Sequence, residues 1–124
     1  MNIRRRSTVL LLLTAWLSAG HAAIRQIEQA FELGPAQIEL PGRPDAQLTV
    51  RPCVGCPIIA LRVTAATRWY SGPGEQQPVG QAAVLEIYRT ASSNPQTLIH
   101  VFYEPQTLRV RRVVLDLPRG GQPR

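Results

Sequence analysis

The sequence predicts a small α+β domain that is rich in β-structure. Three observations support this class. Apolar and polar residues alternate on both sides of a Cys53/Cys56 pair, a second alternating pair of segments fills residues 98–117, and residues 78–91 carry apolar side chains at helical spacing. We therefore expect an antiparallel sheet with a hairpin closed by the cysteine turn, one helix near 78–91 and a C-terminal hairpin.

The first 22 residues have the composition of a secretory signal peptide. Arginines at positions 4–6 precede an apolar run from Val9 to Leu17, and small residues including Ala22 follow. Signal peptides share this order of segments, and the apolar run is too short for a stable membrane span. We expect cleavage after Ala22, a periplasmic or secreted protein and no membrane span after cleavage. An uncleaved N-terminal anchor is the alternative.

Length and charge narrow the classes of function. Removal of 22 of the 124 residues leaves 102, so residues 23–118 are predicted to form a single domain and residues 119–124 a flexible tail. All 14 basic residues are arginine, against 8 acidic residues, and the formal net charge is +6. Without the three arginines of the predicted signal peptide the charge is +3. We expect no nucleic-acid partner for an exported chain, and a non-enzymatic role for one of this size.

The N-terminal half is predicted to contain three strands. Residues 24–33 fit both the helical and the strand period and stay unassigned, whereas residues 36–40 alternate as a strand does. Residues 47–51 and 57–63 form two further alternating segments around the link of residues 53–56. Gly55 occupies the third position of that link, where a positive φ is often required.

The C-terminal half is predicted to be a helix followed by a hairpin. Residues 78–91 place Ala83, Val84, Ile87, Tyr88 and Ala91 on one helical stripe, although Ala83, Leu85 and Ile87 also fit a strand. Residues 98–103 and 108–117 flank a turn with Pro105 at its second position. Leu108 and Val110 point inward in one phase, and Val113, Leu115 and Leu117 in the other. This change of phase at Arg111-Arg112 predicts a β-bulge.

The Cys53/Cys56 pair is predicted to form a structural disulfide. The ends of a four-residue turn lie within about 7 Å, which overlaps the Cα separation of a disulfide, and an exported protein meets oxidising conditions. A redox-active pair is the alternative, but it needs its first cysteine at a helix N-terminus, and a β-branched alternating segment follows here. A zinc site needs more ligands than these cysteines and His100 provide, so we expect no metal and no cofactor.

Two further sets of residues are candidates for function. Arg109, Arg111 and Arg112 form a basic C-terminal strand that could hold phosphate or another anion, or could simply protect a sheet edge from pairing. His100 lies in an alternating segment, where a solvent-facing position explains it. Nothing in the sequence places both a nucleophile and an orienting carboxylate next to it, so we predict no catalytic residue.

Three functions remain open. The first is a binding or accessory protein of the bacterial envelope, whose partner is an envelope protein or a polyanionic envelope component. The second is a thiol-disulfide redox protein that uses Cys53 and Cys56. The third is an anion-binding surface protein that uses Arg109, Arg111 and Arg112.

Overall fold

The computed structural model of the chain describes residues 27–72 and 77–118. Within these ranges it contains one α-helix, α1 (Gln81–Ala91), and a short 3-10 helix (Pro35–Gln37). The strands are β1 (Gln29–Leu33), β2 (Ile38–Glu39), β3 (Ala46–Val50), β4 (Ile59–Val63), β5 (Arg68–Ser71), β6 (Leu98–Glu104) and β7 (Arg109–Asp116). The predicted β-rich α+β class is confirmed. The predicted signal peptide (1–22) and tail (119–124) lie outside the described residues.

The strands form one mixed sheet in the order β1-β6-β7-β4-β3-β2, and β5 also pairs with β7. Strand β7 is antiparallel to β6 but parallel to both β4 and β5. The sheet is therefore mixed, with the predicted antiparallel pairs and two parallel ones. The parallel pairing of β5 with β7 follows from the connection: α1 and β6 lie between β5 and β7 in the chain, so the chain enters β7 in the direction of β5.

The hairpin around the cysteines is formed by β3 and β4, which pair in antiparallel register with Leu48 opposite Leu61. The connection between the two strands spans residues 51–58 and is longer than the predicted link of residues 53–56. Pro52 and Pro57 explain the difference, because neither has an amide hydrogen to donate to the ladder. The predicted hairpin is confirmed, with the cysteines at its tip.

In the unassigned segment 24–33, residues 29–33 form strand β1, and residues 24–26 lie outside the described residues. The strand predicted over residues 36–40 is reduced to Ile38–Glu39, because a 3-10 helix precedes it. The Gln37 side chain stabilises this helix: its carbonyl accepts the Gly34 amide at 2.8 Å, and its amide donates to the Pro52 carbonyl at 3.0 Å.

Helix α1 confirms the predicted helix, but it begins at Gln81 rather than at Pro78. Val84 is completely buried, and Ile87 and Tyr88 pack against the core. The Tyr88 hydroxyl donates to the Pro35 carbonyl at 3.1 Å, which joins the helix to the 3-10 helix. Burial of the Tyr88 ring raises the pKa of its hydroxyl, so this donor stays protonated.

The C-terminal hairpin of β6 and β7 contains the predicted bulge. Phe102 pairs with Arg112 and Tyr103 pairs with Val110, so Arg111 is the extra residue. The inward position expected for Leu108 is wrong. Leu108 is 42% exposed and has a φ of 58°, because it closes the turn before β7.

One face of the sheet, together with α1, encloses a single hydrophobic core that draws on β1 to β7. Its completely buried members include Leu48, Leu61, Val63, Val84, Ile99, Val101, Val113 and Leu115. We call the opposite side of the sheet the outer face. By strand alternation it carries Arg62, Arg68, Tyr70, His100, Phe102 and Arg112. This face positions the candidate site.

Candidate functional site

The candidate site is built where β7 changes its parallel neighbour. Near its beginning β7 pairs with β4, with Arg109 beside Arg62, and from Arg112 onward it pairs with β5, with Arg112 beside Arg68. Between the two pairings the chain leaves the sheet in a turn at residues 64–67. The turn leaves a gap beside β7, and arginines lie at both ends of that gap.

Thr67 fixes this turn against the sheet. Its buried hydroxyl donates to the Val110 carbonyl at 2.8 Å and accepts the Thr64 amide at 3.1 Å. A third bond, from the Thr67 amide to the Thr64 carbonyl at 3.1 Å, closes the turn. These bonds hold the wall of the gap in one position relative to β7.

The gap forms a cleft of about 360 Å³ on the outer face. Strand β7 contributes the three arginines that the sequence predicted as an anion-binding surface, and β5 contributes Arg68, which the sequence analysis missed. The lining residues are Thr64, Ala66, Arg68, Tyr70, Glu104, Arg109, Val110, Arg111 and Arg112. The bulge brings Arg111 and Arg112 to the cleft together, although they are adjacent in the sequence.

Two carboxylates hold the arginines of β7 in place. Glu104 contacts Arg109 at 2.8 Å and Arg111 at 3.8 Å, while Glu28 contacts Arg112 at 2.9 Å and Arg111 at 3.5 Å. The guanidinium of Arg112 also lies over the Phe102 ring, 3.8 Å from its centre, which is the geometry of a cation–π contact. The side chains are therefore oriented before any ligand binds.

The hydrogen bond from Arg109 lowers the pKa of Glu104 below its ordinary value, and the hydrogen bond from the Thr107 hydroxyl adds to the effect. Glu104 is thus ionised at neutral pH and neutralises part of the positive charge beside it. Four arginines face two carboxylates here, so the cleft and its partners keep a net positive charge.

Arg68 differs from its three neighbours. It is exposed, and among the described residues no carboxylate lies within ion-pair distance of its guanidinium. A guanidinium offers five N–H donors in a planar fork, which fits the oxygens of phosphate, sulfate or carboxylate groups. The cleft can therefore offer guanidinium donors on β7 that ion pairs hold in place. It also offers Arg68 on β5, whose charge no described carboxylate balances.

The structure places Cys53 and Cys56 in a disulfide at the tip of the β3–β4 hairpin, with their Cα atoms 5.1 Å apart. The Cys56 amide donates to the Cys53 carbonyl at 3.1 Å, and Gly55 has the expected positive φ of 81°. No helix begins at Cys53, since residues 51–58 form a turn and an extended segment before β4. The element that would stabilise a reactive thiolate is absent from this connection.

His100 has carboxylate neighbours that the sequence did not indicate. Its Nδ1 lies 4.0 Å from Glu32 on β1, and its Nε2 lies 4.0 Å from Asp116 on β7. Strand pairing produces this arrangement, because Glu32 and His100 are opposite each other. Both contacts are at the long limit of an ion pair. Within residues 27–72 and 77–118, no group of three or more His, Cys, Asp and Glu side chains is arranged to hold a metal ion.

A comparison of this chain with protein-family models, with curated proteins and with solved structures finds no match. Function is therefore inferred from the geometry of the arginine cleft.

Proposed function

We propose that the protein is a non-enzymatic binding protein, acting in the periplasm or outside the cell, whose arginine cleft binds an anionic group of its ligand. One observation carries this proposal: arginines from two separate strands line one cleft, and fewer carboxylates than arginines accompany them. The proposal joins two interpretations of the sequence, a binding module of the envelope and an anion-binding surface.

The energetics of the cleft favour a ligand over a purely structural network. Glu104 and Glu28 already orient the β7 arginines. These arginines would therefore lose little further side-chain entropy when a ligand binds. Arg68 supplies a charge that no described carboxylate balances. A hydrogen bond to a charged group contributes about 1.5–3 kcal/mol, which corresponds to roughly ten- to hundredfold in affinity.

The location outside the cytoplasm is supported by the disulfide, which persists in oxidising compartments. Across the described part of the chain, no helix is both long enough and apolar enough for a membrane span. Both observations are compatible with a periplasmic or secreted protein.

The test is a calorimetric titration of the protein with inorganic pyrophosphate at low ionic strength. We expect the wild type to bind and Arg68→Gln to bind roughly tenfold more weakly, because Arg68 supplies the unneutralised donor. Arg43→Gln is the matched control, since Arg43 is exposed in the loop beside α1, away from the cleft lining. Absence of binding by the wild type, or an equal loss in both variants, would contradict the proposal.

A further inference from the structure

The arginines continue past the cleft. Arg62 on β4 is exposed and lies beside Arg109, but it does not line the cleft itself. We use the name arginine band for the whole set: Arg62, Arg109, Arg111, Arg112 and Arg68. We infer that this band is a binding track for a linear polyanion, a chain that carries successive phosphate or sulfate groups. The inference rests on the proposed function and extends it by naming the class of ligand.

The charge of the band exceeds what a single small anion neutralises. Arg109 and Arg112 pair with Glu104 and Phe102 of β6, so the bulge leaves them two residue rises apart, about 7 Å at the strand rise of about 3.3 Å. Each is held by a different carboxylate, Arg109 by Glu104 and Arg112 by Glu28. The five arginines exceed these two carboxylates by three positive charges, whereas one phosphate group carries about two negative charges. Several linked anionic groups match the band better.

The distribution of charge along the band also points to an extended ligand. The arginines in its middle are paired with Glu104 and Glu28, while in the described residues neither end, Arg62 or Arg68, has a carboxylate within ion-pair distance. The unneutralised charges therefore lie at the two ends. Because β4 and β5 pair with the same side of β7, a ligand that neutralises both must reach along that side, past the turn at residues 64–67.

The rest of the outer face gives this track a boundary. Beyond Arg62, the exposed Gln47 on β3 is its cross-strand neighbour and offers an uncharged amide donor. On the other side, Glu32 and Asp116 flank His100 and bring negative charge to the outer face. A polyanion is repelled from that region and attracted to the band, so the charge pattern confines it to the arginine side.

The experiment compares a short and a long anion on the full chain. Inorganic pyrophosphate tests the cleft alone, and long-chain inorganic polyphosphate and dextran sulfate test the track. We expect Arg62→Gln to weaken binding of the long ligands roughly tenfold and to leave pyrophosphate binding unchanged. Arg68→Gln should weaken both, and Arg43→Gln neither. Affinity for the long ligands should fall steeply when salt rises from about 50 to 200 mM.

The outcomes separate the two proposals. If Arg62→Gln leaves polyphosphate and dextran sulfate affinity unchanged while pyrophosphate still binds in a manner dependent on Arg68, the track is wrong and the cleft stands. If no anion binds, both proposals fail. If only polyphosphate binds, phosphate is the recognised group. If dextran sulfate binds as well, the band recognises the repeated negative charge of either polymer. Both outcomes support the track, provided that Arg62→Gln weakens the binding. Arg62→Lys, which keeps the charge, should retain most of the binding and controls for a change in folding.

Discussion

Gly55 shows how a single residue sets the geometry of the hairpin tip. Its φ of 81° lies in the left-handed region, where an L side chain costs about 1–2 kcal/mol. An added Cβ would meet no atom within 4 Å, so the cost of a side chain there arises from the backbone alone. Gly42 offers the comparison, because it also has open space around it but no positive φ.

We therefore predict that Gly55→Ala lowers the free energy of unfolding by about 1–2 kcal/mol. Gly42→Ala should leave it unchanged or raise it by up to about 1 kcal/mol, since alanine restricts the unfolded chain. Urea denaturation of both variants and the wild type measures the difference. Equal stability of the two variants would show that the turn does not require the left-handed conformation.

Single residues also show how much of the candidate site could be predicted from sequence. Arg109, Arg111 and Arg112 are close in the chain, so their shared strand made them visible as a basic segment. Arg68 reaches the cleft through the pairing of β5 with β7. Glu28 is joined to the same arginines by its ion pairs with Arg111 and Arg112. No local pattern marks such residues, because the signal lies in the strand order.

At the scale of elements, the predictions succeeded where a local rule decides the structure. Alternation located β3, β4, β6 and β7, and the change of phase at Arg111-Arg112 located the bulge. They failed for residues 36–40, where hydrogen bonds of the Gln37 side chain favour a 3-10 helix over an extended strand. The parallel pairing of β5 with β7 was also missed, since it depends on a connection through α1 and β6.

The hairpin of β3 and β4 provides a prediction for an element. The disulfide closes a short loop at its tip, and the chain-entropy model gives about 2 kcal/mol for a loop of this length. We expect the double variant C53S/C56S to melt roughly 10 °C below the wild type. Scanning calorimetry measures this, with the wild type in reducing agent as a second way to remove the bond. An unchanged Tm in both cases would mean that the disulfide is not a structural staple.

The reduction potential of the Cys53/Cys56 couple separates a staple from a redox pair. Because no helix begins at Cys53, we expect a potential below about −300 mV, the range of structural disulfides. Equilibration against dithiol buffers, followed by thiol trapping, measures it. A value between about −120 and −270 mV would support the thiol-disulfide alternative instead.

At the scale of the whole molecule, the fold separates the hydrophobic core from the surface that we propose binds a ligand. The inner face and α1 form the core, while the outer face keeps charged groups that the core does not use. The arginines nevertheless depend on their carboxylates for position, so the charge network also contributes to stability. Glu104 is central to it, because it contacts arginines at both the beginning and the bulge of β7.

Acid should therefore weaken the network in a way that can be assigned to Glu104. Its pKa in the folded protein is lowered, chiefly by the hydrogen bond from Arg109, so the unfolded chain binds the proton more tightly. The stabilisation is complete above the ordinary glutamate pKa of about 4.3 and is lost as the pH falls below it through the folded pKa. Glu104→Gln lacks this contribution at every pH.

We predict that the wild type is more stable than Glu104→Gln at pH 7 and that the difference shrinks as the pH falls below about 4. Urea denaturation of both proteins from pH 7 to pH 2 measures it. Other carboxylates titrate equally in the two proteins, so the difference isolates Glu104. Glu86→Gln is the control, because its exposed ion pair with Arg89 on α1 should contribute little at any pH. A constant difference down to pH 2 would mean that Glu104 acts through its shape and not its charge.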